Sequence, residues 1–319
     1  MQTIIVKEND VNQRLDNFLG KVFSHLPKTL IYKLIRTKQI KVNQKKVDLN
    51  YRLQLNDEIK IFSSALSLAS KEDKKDPDFF YAKKKLDVVY EDKNIIVVNK
   101  PINLVVHADD SNTKDTLINR IQWYLYQKKE YDPLKENQFS PTLAHRIDQN
   151  TSGLVIAAKN MSALQALNEI FKNHEIKKYY LTLVYGLLTP LKNTIKNYIK
   201  KEDKFVKVYH SYQPDAKEAI THYKVLEYLK NKFSLVEVEL ETGRTHQIRA
   251  TFNDLNFPLV GEQKYIKKTV DKDPRFKHQA LVAYKLIFKI RNIDNPLFYL
   301  NEHPLSLNLN EIDFLKKLS

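Results

Sequence analysis

The 319-residue sequence contains no cysteine. That absence excludes disulfides, a thiolate nucleophile and any zinc site built on cysteine. Glycine occurs only five times, and those five form neither a glycine-rich phosphate loop nor a dinucleotide fingerprint. No apolar run approaches the roughly 18 residues of a membrane span. The opening "MQTIIVKEND" reads as a short strand followed by acids, not as a basic segment leading into a long apolar run. No secretory signal is therefore expected, and the expected location is cytoplasmic. The nine histidines are scattered, and none is spaced with carboxylates as a close ligand set, so neither metal nor cofactor is expected.

What the chain has in excess is positive charge: 53 Lys and Arg against 38 Asp and Glu, a net +15. Such an excess suits a polyanionic partner, most often nucleic acid. A general lysine bias gives the same total, because only nine of the basic residues are arginine. In so lysine-rich a chain, each arginine suggests a need for its planar fork. Four of the five glycines, Gly153, Gly186, Gly243 and Gly261, lie beyond residue 150 beside motif-like segments. Glycine supplies positive φ or close backbone approach.

Residues 1–62 read as a small basic unit. "VNQRLDNFLGKVF" and "KTLIYKLIRTK" each carry an apolar helical stripe, and "IKVNQKKV" reads as strand, tight turn, strand. "DEIKIF" adds another strand. The outward face carries Lys33, Arg36, Lys38, Lys41, Lys45 and Lys46. Residues 63–80 are expected to be a linker, since most are small, polar or charged. Residues 81–319 then mix β-rich runs with helices and show no repeat period, which predicts an α+β domain. "NMSALQALNEIFKNH" is expected to be a helix capped by Asn160 or Ser162. "FSLVEVEL" alternates as a strand with one wet face. "RTHQIRATFND" is expected to form a helix from near Thr245, with Arg249 in its second turn.

The densest chemistry lies in "AHRIDQNTSGLVIAAKN", where His145, Arg146 and Asp148 precede a turn-like run and an apolar strand. A carboxylate beside guanidinium groups is suited to act as nucleophile, base or ion-pair partner rather than as an acid. A loop ion pair would give the same pattern. The segment "ETGRTHQIRA" supplies Arg244 and Arg249 with His246 between them; His246 is left without a role.

"HRIDQNTSGLVIAAKN", "KKYYLTLVYG", "AITHYKVLE", "ETGRTHQIRA" and "PLVGEQKY", in that order, resemble the RluA-type family of pseudouridine synthases, and "NKPINLVVH" matches the segment before them. The likeness runs over residues 86–290. The N-terminal unit resembles the small RNA-binding domain named after ribosomal small-subunit protein S-four. Gln39 departs from it where glycine is usual. The resemblance implies a small N-terminal RNA-binding domain followed by a mixed, mainly antiparallel-sheet catalytic domain, acting without metal or redox cofactor. It implies that Asp148 is the catalytic aspartate, that Tyr180 stacks on the target base, that Arg249 ion-pairs with Asp148, and that Arg146 helps fill the space of the flipped nucleotide. Tyr179 is the rival tyrosine. Ile147, Ala250 and Glu262 depart mildly from the family pattern, and none of the three is expected to touch the catalytic group. The implied substrate is large-subunit ribosomal RNA or a ribosome precursor, with tRNA as the alternative and a monomer expected. A non-catalytic RNA-binding assembly protein would have been favoured by loss of Asp148, Tyr180 or Arg249. A glycoside hydrolase would need paired carboxylates, and the region around Asp148 offers arginines instead.

Overall fold

The computed structural model describes residues 1–23, 26–62, 77–108, 113–202, 205–230, 232–265 and 273–318. Its strands are β1 Gln2–Ile5, β2 Ile40–Val42, β3 Glu58–Ile61, β4 Val88–Glu91, β5 Ile95–Lys100, β6 Thr142–Leu143, β7 Ser152–Ala158, β8 Ile176–Tyr185, β9 Lys192–Glu202, β10 Phe205–Tyr209, β11 Lys217–Leu229, β12 Phe233–Leu240, β13 Leu281–Phe288 and β14 Pro304–Ser306. Its helices are α1 Leu15–Val22, α2 Lys28–Arg36, α3 Leu117–Gln127, α4 Met161–Lys172, α5 Gln247–Asp254 and α6 Asp313–Lys316. No helix among the described residues is long and apolar enough to cross a membrane.

The N-terminal strands form a three-stranded sheet in the order β1-β3-β2. The apolar stripes of α1 and α2 close over it, burying Phe18, Leu19, Ile31 and Leu34 with Leu53 and Ile59. The expected hairpin over 40–47 is not formed. Asn43 and Gln44 turn the chain in the left-handed region, but only one bridge, Val42 to Lys45, follows. The chain then leaves the sheet and crosses to α1, where Leu15 N–H donates to Tyr51 O at 2.9 Å and Asp16 N–H to Leu49 O at 3.2 Å. Those are N–H groups of the first helical turn, which lack partners within the helix.

Most of the expected linker, residues 63–76, lies outside the described residues. Its last part is not linker. Asp78–Tyr81 forms a 3-10 turn, and Phe79 is buried in the core of the larger unit, where its ring meets those of Tyr126 and Tyr131. Burial of an aromatic ring draws the chain into the fold before residue 81.

The large sheet runs β10-β9-β11-β12-β8-β13-β7-β5-β4, with β14 on β13 and β6 on β7. Its strand pairs are antiparallel except β13 with β7. This is the mixed, mainly antiparallel α+β architecture the sequence implied. Both faces of its centre are covered. On β7, Val155 and Ala157 face one core with α3 and α5, while Leu154, Ile156 and Ala158 face another with α4. That explains the unbroken apolar run in "GLVIAA", since a strand buried on both faces has no polar alternation. Asn160 caps α4, its side chain accepting from Ala163 N–H at 2.8 Å. β12 keeps the expected alternation.

The N-terminal unit rests on the larger one through polar contacts. Asn137 Nδ2 donates to Ile5 O at 2.8 Å and to Asp10 Oδ2 at 2.6 Å. Asn9 Oδ1 accepts from Met161 N–H at the start of α4 at 3.0 Å.

His145 does not join Arg146 and Asp148. It turns to the α4 side of the sheet, stacks on Phe171 with ring centroids 5.1 Å apart, and accepts the Ile156 N–H at Nε2, 3.1 Å away. Burial, reinforced by Lys178, lowers its pKa to about 3. The folded chain therefore holds His145 neutral while the unfolded chain protonates it below about 6.5. Stability from this site is full above that value and falls as pH drops toward 3, by at most about 1.4 kcal/mol per pH unit. His145→Gln keeps an acceptor for Ile156 and does not titrate. Unfolding midpoints between pH 6.5 and 4.5 should decline less steeply in the variant; equal slopes would show that His145 is not held neutral.

Candidate active site

A cleft of about 350 Å³ opens where four segments meet: the loop before β7, Tyr180 on β8, the start of α5 and the approach to β13. Two glycines let these segments close. Gly153 has φ +114°, and a Cβ there would lie 2.2 Å from Ala283 O, so β7 meets β13 only with glycine at that point. Gly261 has φ +76°, and its Cβ would lie 2.1 Å from His278 O. The first fixes the loop carrying Asp148; the second seats Glu262.

The Asp148 loop is held from beneath. Thr151 N–H donates to Asp148 O at 3.0 Å. Lys100 at the end of β5 is fully buried, and its Nζ donates to Pro101 O at 2.9 Å, Leu104 O at 2.8 Å and Gln149 O at 2.8 Å. Three carbonyls match the three donors of an ammonium group. Burial lowers its pKa to about 7, with Asp148 acting in the opposite sense. The sequence showed Lys100 only as the end of an apolar run.

Asp148 Oδ2 accepts from Arg249 Nη1 at 3.1 Å. Arg249 in turn grips Glu262 with both arms, Nε to Oε2 at 2.7 Å and Nη2 to Oε1 at 2.8 Å. Glu262 is 1% exposed. Burial opposes the charge of Arg249, yet the Glu262 hydrogen bonds and the two carboxylates outweigh it and raise its pKa. Burial likewise opposes ionisation of Glu262, and the Arg249 hydrogen bonds prevail and lower its pKa. The guanidinium also lies over the Tyr265 ring, 5.3 Å from its centroid, a favourable cation–π contact. The departure at Glu262 thus sits inside the cleft's charge network, touching Arg249 rather than Asp148.

α5 begins at Gln247, not near Thr245, because His246 takes φ 54° in the left-handed region. Arg249 consequently lies in the first turn. Gln247 locks the entry: its Oε1 accepts from Arg244 N–H at 2.9 Å and Thr242 Oγ1 at 3.0 Å, and its Nε2 donates to Ile220 O at 3.0 Å. His246 Nδ1 lies 2.6 Å from the Tyr265 hydroxyl, and Nε2 lies 3.7 Å from Asp148 Oδ2. Burial is the main cause that lowers the His246 pKa to about 4, against the pull of Asp148. His246 is neutral at neutral pH, which leaves Arg249 as the cation in contact with Asp148.

Tyr180 lines the cleft, 8% exposed. Burial, with Asp148 adding to it, raises its pKa, so the hydroxyl stays protonated. Tyr179 faces the other side of β8, with Lys285 Nζ 4.3 Å from its ring centroid. Arg146 is exposed at the cleft mouth. Lys33, Arg36, Lys38, Lys45 and Lys46 are exposed on the N-terminal unit, and Lys41 is half-buried with its Nζ 5.4 Å from the Phe62 ring centroid. None of these six basic side chains makes an ion pair among the described residues. The cleft and this basic set are separate places on the molecule.

The fold is shared with solved structures titled as pseudouridylate synthases. The human protein titled RNA Pseudouridylate Synthase Domain Containing 4 superposes with a TM-score of 0.55 over 70% of this chain and 88% of its own, at 20% identity. The RNA pseudouridylate synthase family model matches residues 94–254, and an S4 domain model matches residues 13–59. An RNA pseudouridine synthase of Mycoplasma genitalium, named as uncharacterized, is 35% identical over 99% of this chain and 95% of its own length. A ribosomal large subunit pseudouridine synthase C of Buchnera aphidicola is 35% identical over 83% of this chain and 81% of its own. The chain belongs to the RNA pseudouridine synthase family. It is an isomerase that converts uridine in RNA to pseudouridine.

Glu262→Gln removes one charge of a buried pair and leaves Arg249 undercompensated. Breaking such a pair typically costs about 3–5 kcal/mol. Urea unfolding should show a loss of that order with an unchanged m-value; a loss under about 1 kcal/mol would mean that Asp148 alone satisfies the guanidinium.

Proposed function

We propose that this chain isomerises uridines of large-subunit ribosomal RNA, with Asp148 as the catalytic carboxylate. The observation that carries this reading is the Asp148–Arg249–Glu262 chain at a cleft also lined by Tyr180. A free carboxylate in a loop would rotate; here one oxygen is tied to a guanidinium whose other face is fixed by a buried glutamate.

The reaction breaks the bond from N1 to C1′ and makes a bond from C5 to C1′. The proton lost from C5 is balanced by one gained at N1, so neither oxidant nor metal enters the balance. Asp148 acts in its ionised form, adding to the uridine or removing a ribose proton while the glycosidic bond breaks. Arg249 holds and aims it. The neutral ring of Tyr180 packs on the base, a contact of about 1–3 kcal/mol for an aromatic–base stack. Arg146 at the mouth occupies the space the extruded nucleotide leaves. Extrusion costs a few kcal/mol, and phosphate contacts outside the cleft help to offset it.

The proposed contact region is residues 1–62, presenting Lys33, Arg36, Lys38, Lys41, Lys45 and Lys46 to phosphates, followed by a linker and then a catalytic domain that runs from the Asp78–Tyr81 turn to residue 319. Support comes from the S4 match over residues 13–59 and from those six side chains being free of ion pairs among the described residues. The relative named as a large-subunit synthase supports ribosomal RNA over tRNA. The protein acts as a cytoplasmic monomer on ribosomal RNA or a ribosome precursor.

Pseudouridine mapping of total ribosomal RNA and tRNA with and without the protein tests the substrate. Sites lost only from tRNA would move the assignment there. Asp148→Asn should abolish turnover, by at least about 1,000-fold, while RNA affinity stays within a few-fold. Tyr180→Phe should keep more activity than Tyr180→Ala; equal losses in the two variants would put the hydroxyl, not the ring, in the leading role. Lys45→Gln and Lys46→Gln should each lower the log–log salt slope of RNA affinity by about 0.7–0.9, and an unchanged slope would return these lysines to a solvated face.

A further inference from the structure

Among the described residues, five buried side-chain polar atoms have no hydrogen-bond partner. Two of them, Asn150 Oδ1 and Gln279 Nε2, belong to side chains lining the cleft around Asp148. Gln279 is 5% exposed. Its backbone is already placed without the side chain, since its carbonyl accepts from Leu281 N–H at 2.8 Å and the next residue, Ala280, donates to Val260 O at 2.8 Å. A buried amide nitrogen without a partner costs stability that a leucine of like volume does not. Such a group, kept where uracil must be handled, points to a partner brought by the substrate.

The chemistry says what that partner is. The detached uracil must present C5 where N1 had been. A half-turn about the axis through N3 and C6 does this; it exchanges O2 with O4 and leaves N3 in place. A group facing the imide edge therefore meets N3–H flanked by a carbonyl oxygen both before and after the turn. A side-chain amide offers the matching pair, one N–H donor and one carbonyl acceptor.

We infer that Gln279 binds the imide edge of the target uracil, donating to a ring carbonyl and accepting N3–H, and makes the same pair of hydrogen bonds to substrate and product bases. It keeps the base in register while the base is detached from the ribose. Asn150 brings a second amide to the same cleft. The inference rests on the cleft being the uridine site, as proposed above.

The test uses the full-length protein and a synthetic RNA spanning a uridine mapped as its target, with single-turnover rates read by nucleoside analysis. Gln279→Leu should slow turnover about 10-fold or more, with RNA affinity within two-fold and thermal stability equal or higher. A second RNA carries 4-thiouridine at the target, whose sulfur is the weaker acceptor. The thio substitution should slow the wild-type protein more than it slows Gln279→Leu. If the leucine variant misfolds, Gln279→Met carries the same comparison. Wild-type turnover by Gln279→Leu, or equal thio effects in both proteins, overturns the inference while inactivity of Asp148→Asn leaves the cleft assignment standing. An active Asp148→Asn removes both.

Discussion

One guanidinium shared between two carboxylates sets the rest of the site. Arg249 is 8% exposed, and a buried cation needs compensation. Glu262 supplies it with two short hydrogen bonds on one side, and Asp148 accepts a single bond at the cleft. The division is unequal. Glu262 is locked from both its oxygens, whereas Asp148 keeps one oxygen outside the pair. The buried glutamate thus carries most of the structural load, and the aspartate remains usable for chemistry.

That arrangement explains several backbone features at once. Gly261 lets the chain pass so close to His278 that a Cβ there would lie 2.1 Å from its carbonyl oxygen, which brings Glu262 under α5. The left-handed turn at His246 starts α5 late and places Arg249 in its first turn. Lys100, from a strand on the far side of β7, ties down the carbonyl beside Asp148. Each device comes from a different part of the chain, and each fixes one member of the same short line of charges.

Much of this was legible in the sequence. Arg146, Asp148, Tyr180 and Arg249 line one cleft, and the alternation of β8 turns the rival Tyr179 to the other side. The buried strand was visible in "GLVIAA" as an unbroken apolar run. What was not legible depends on contacts between distant segments. His145 stands next to Arg146 in sequence and turns to the opposite face. Glu262 read as a mild departure because its partner lies 13 residues earlier on a helix. Lys100 sits in an apolar run, and no local pattern marks a lysine whose acceptors come partly from a loop 49 residues away. The strand expected after Lys45 is reduced to one bridge, and the chain just beyond it gives the Leu49 and Tyr51 carbonyls to the first turn of α1.

With Asp148 as the proposed catalytic carboxylate, Glu262 serves catalysis only through Arg249. A double-mutant cycle on single-turnover rates, with Arg249→Gln, Glu262→Gln and the pair combined, measures this directly. The account predicts that the double variant is no slower than Arg249→Gln alone, because once the guanidinium is gone the glutamate has nothing left to position. Two losses that simply multiply would contradict it, and would mean that Glu262 acts on the RNA or on Asp148 by a route that does not pass through the arginine.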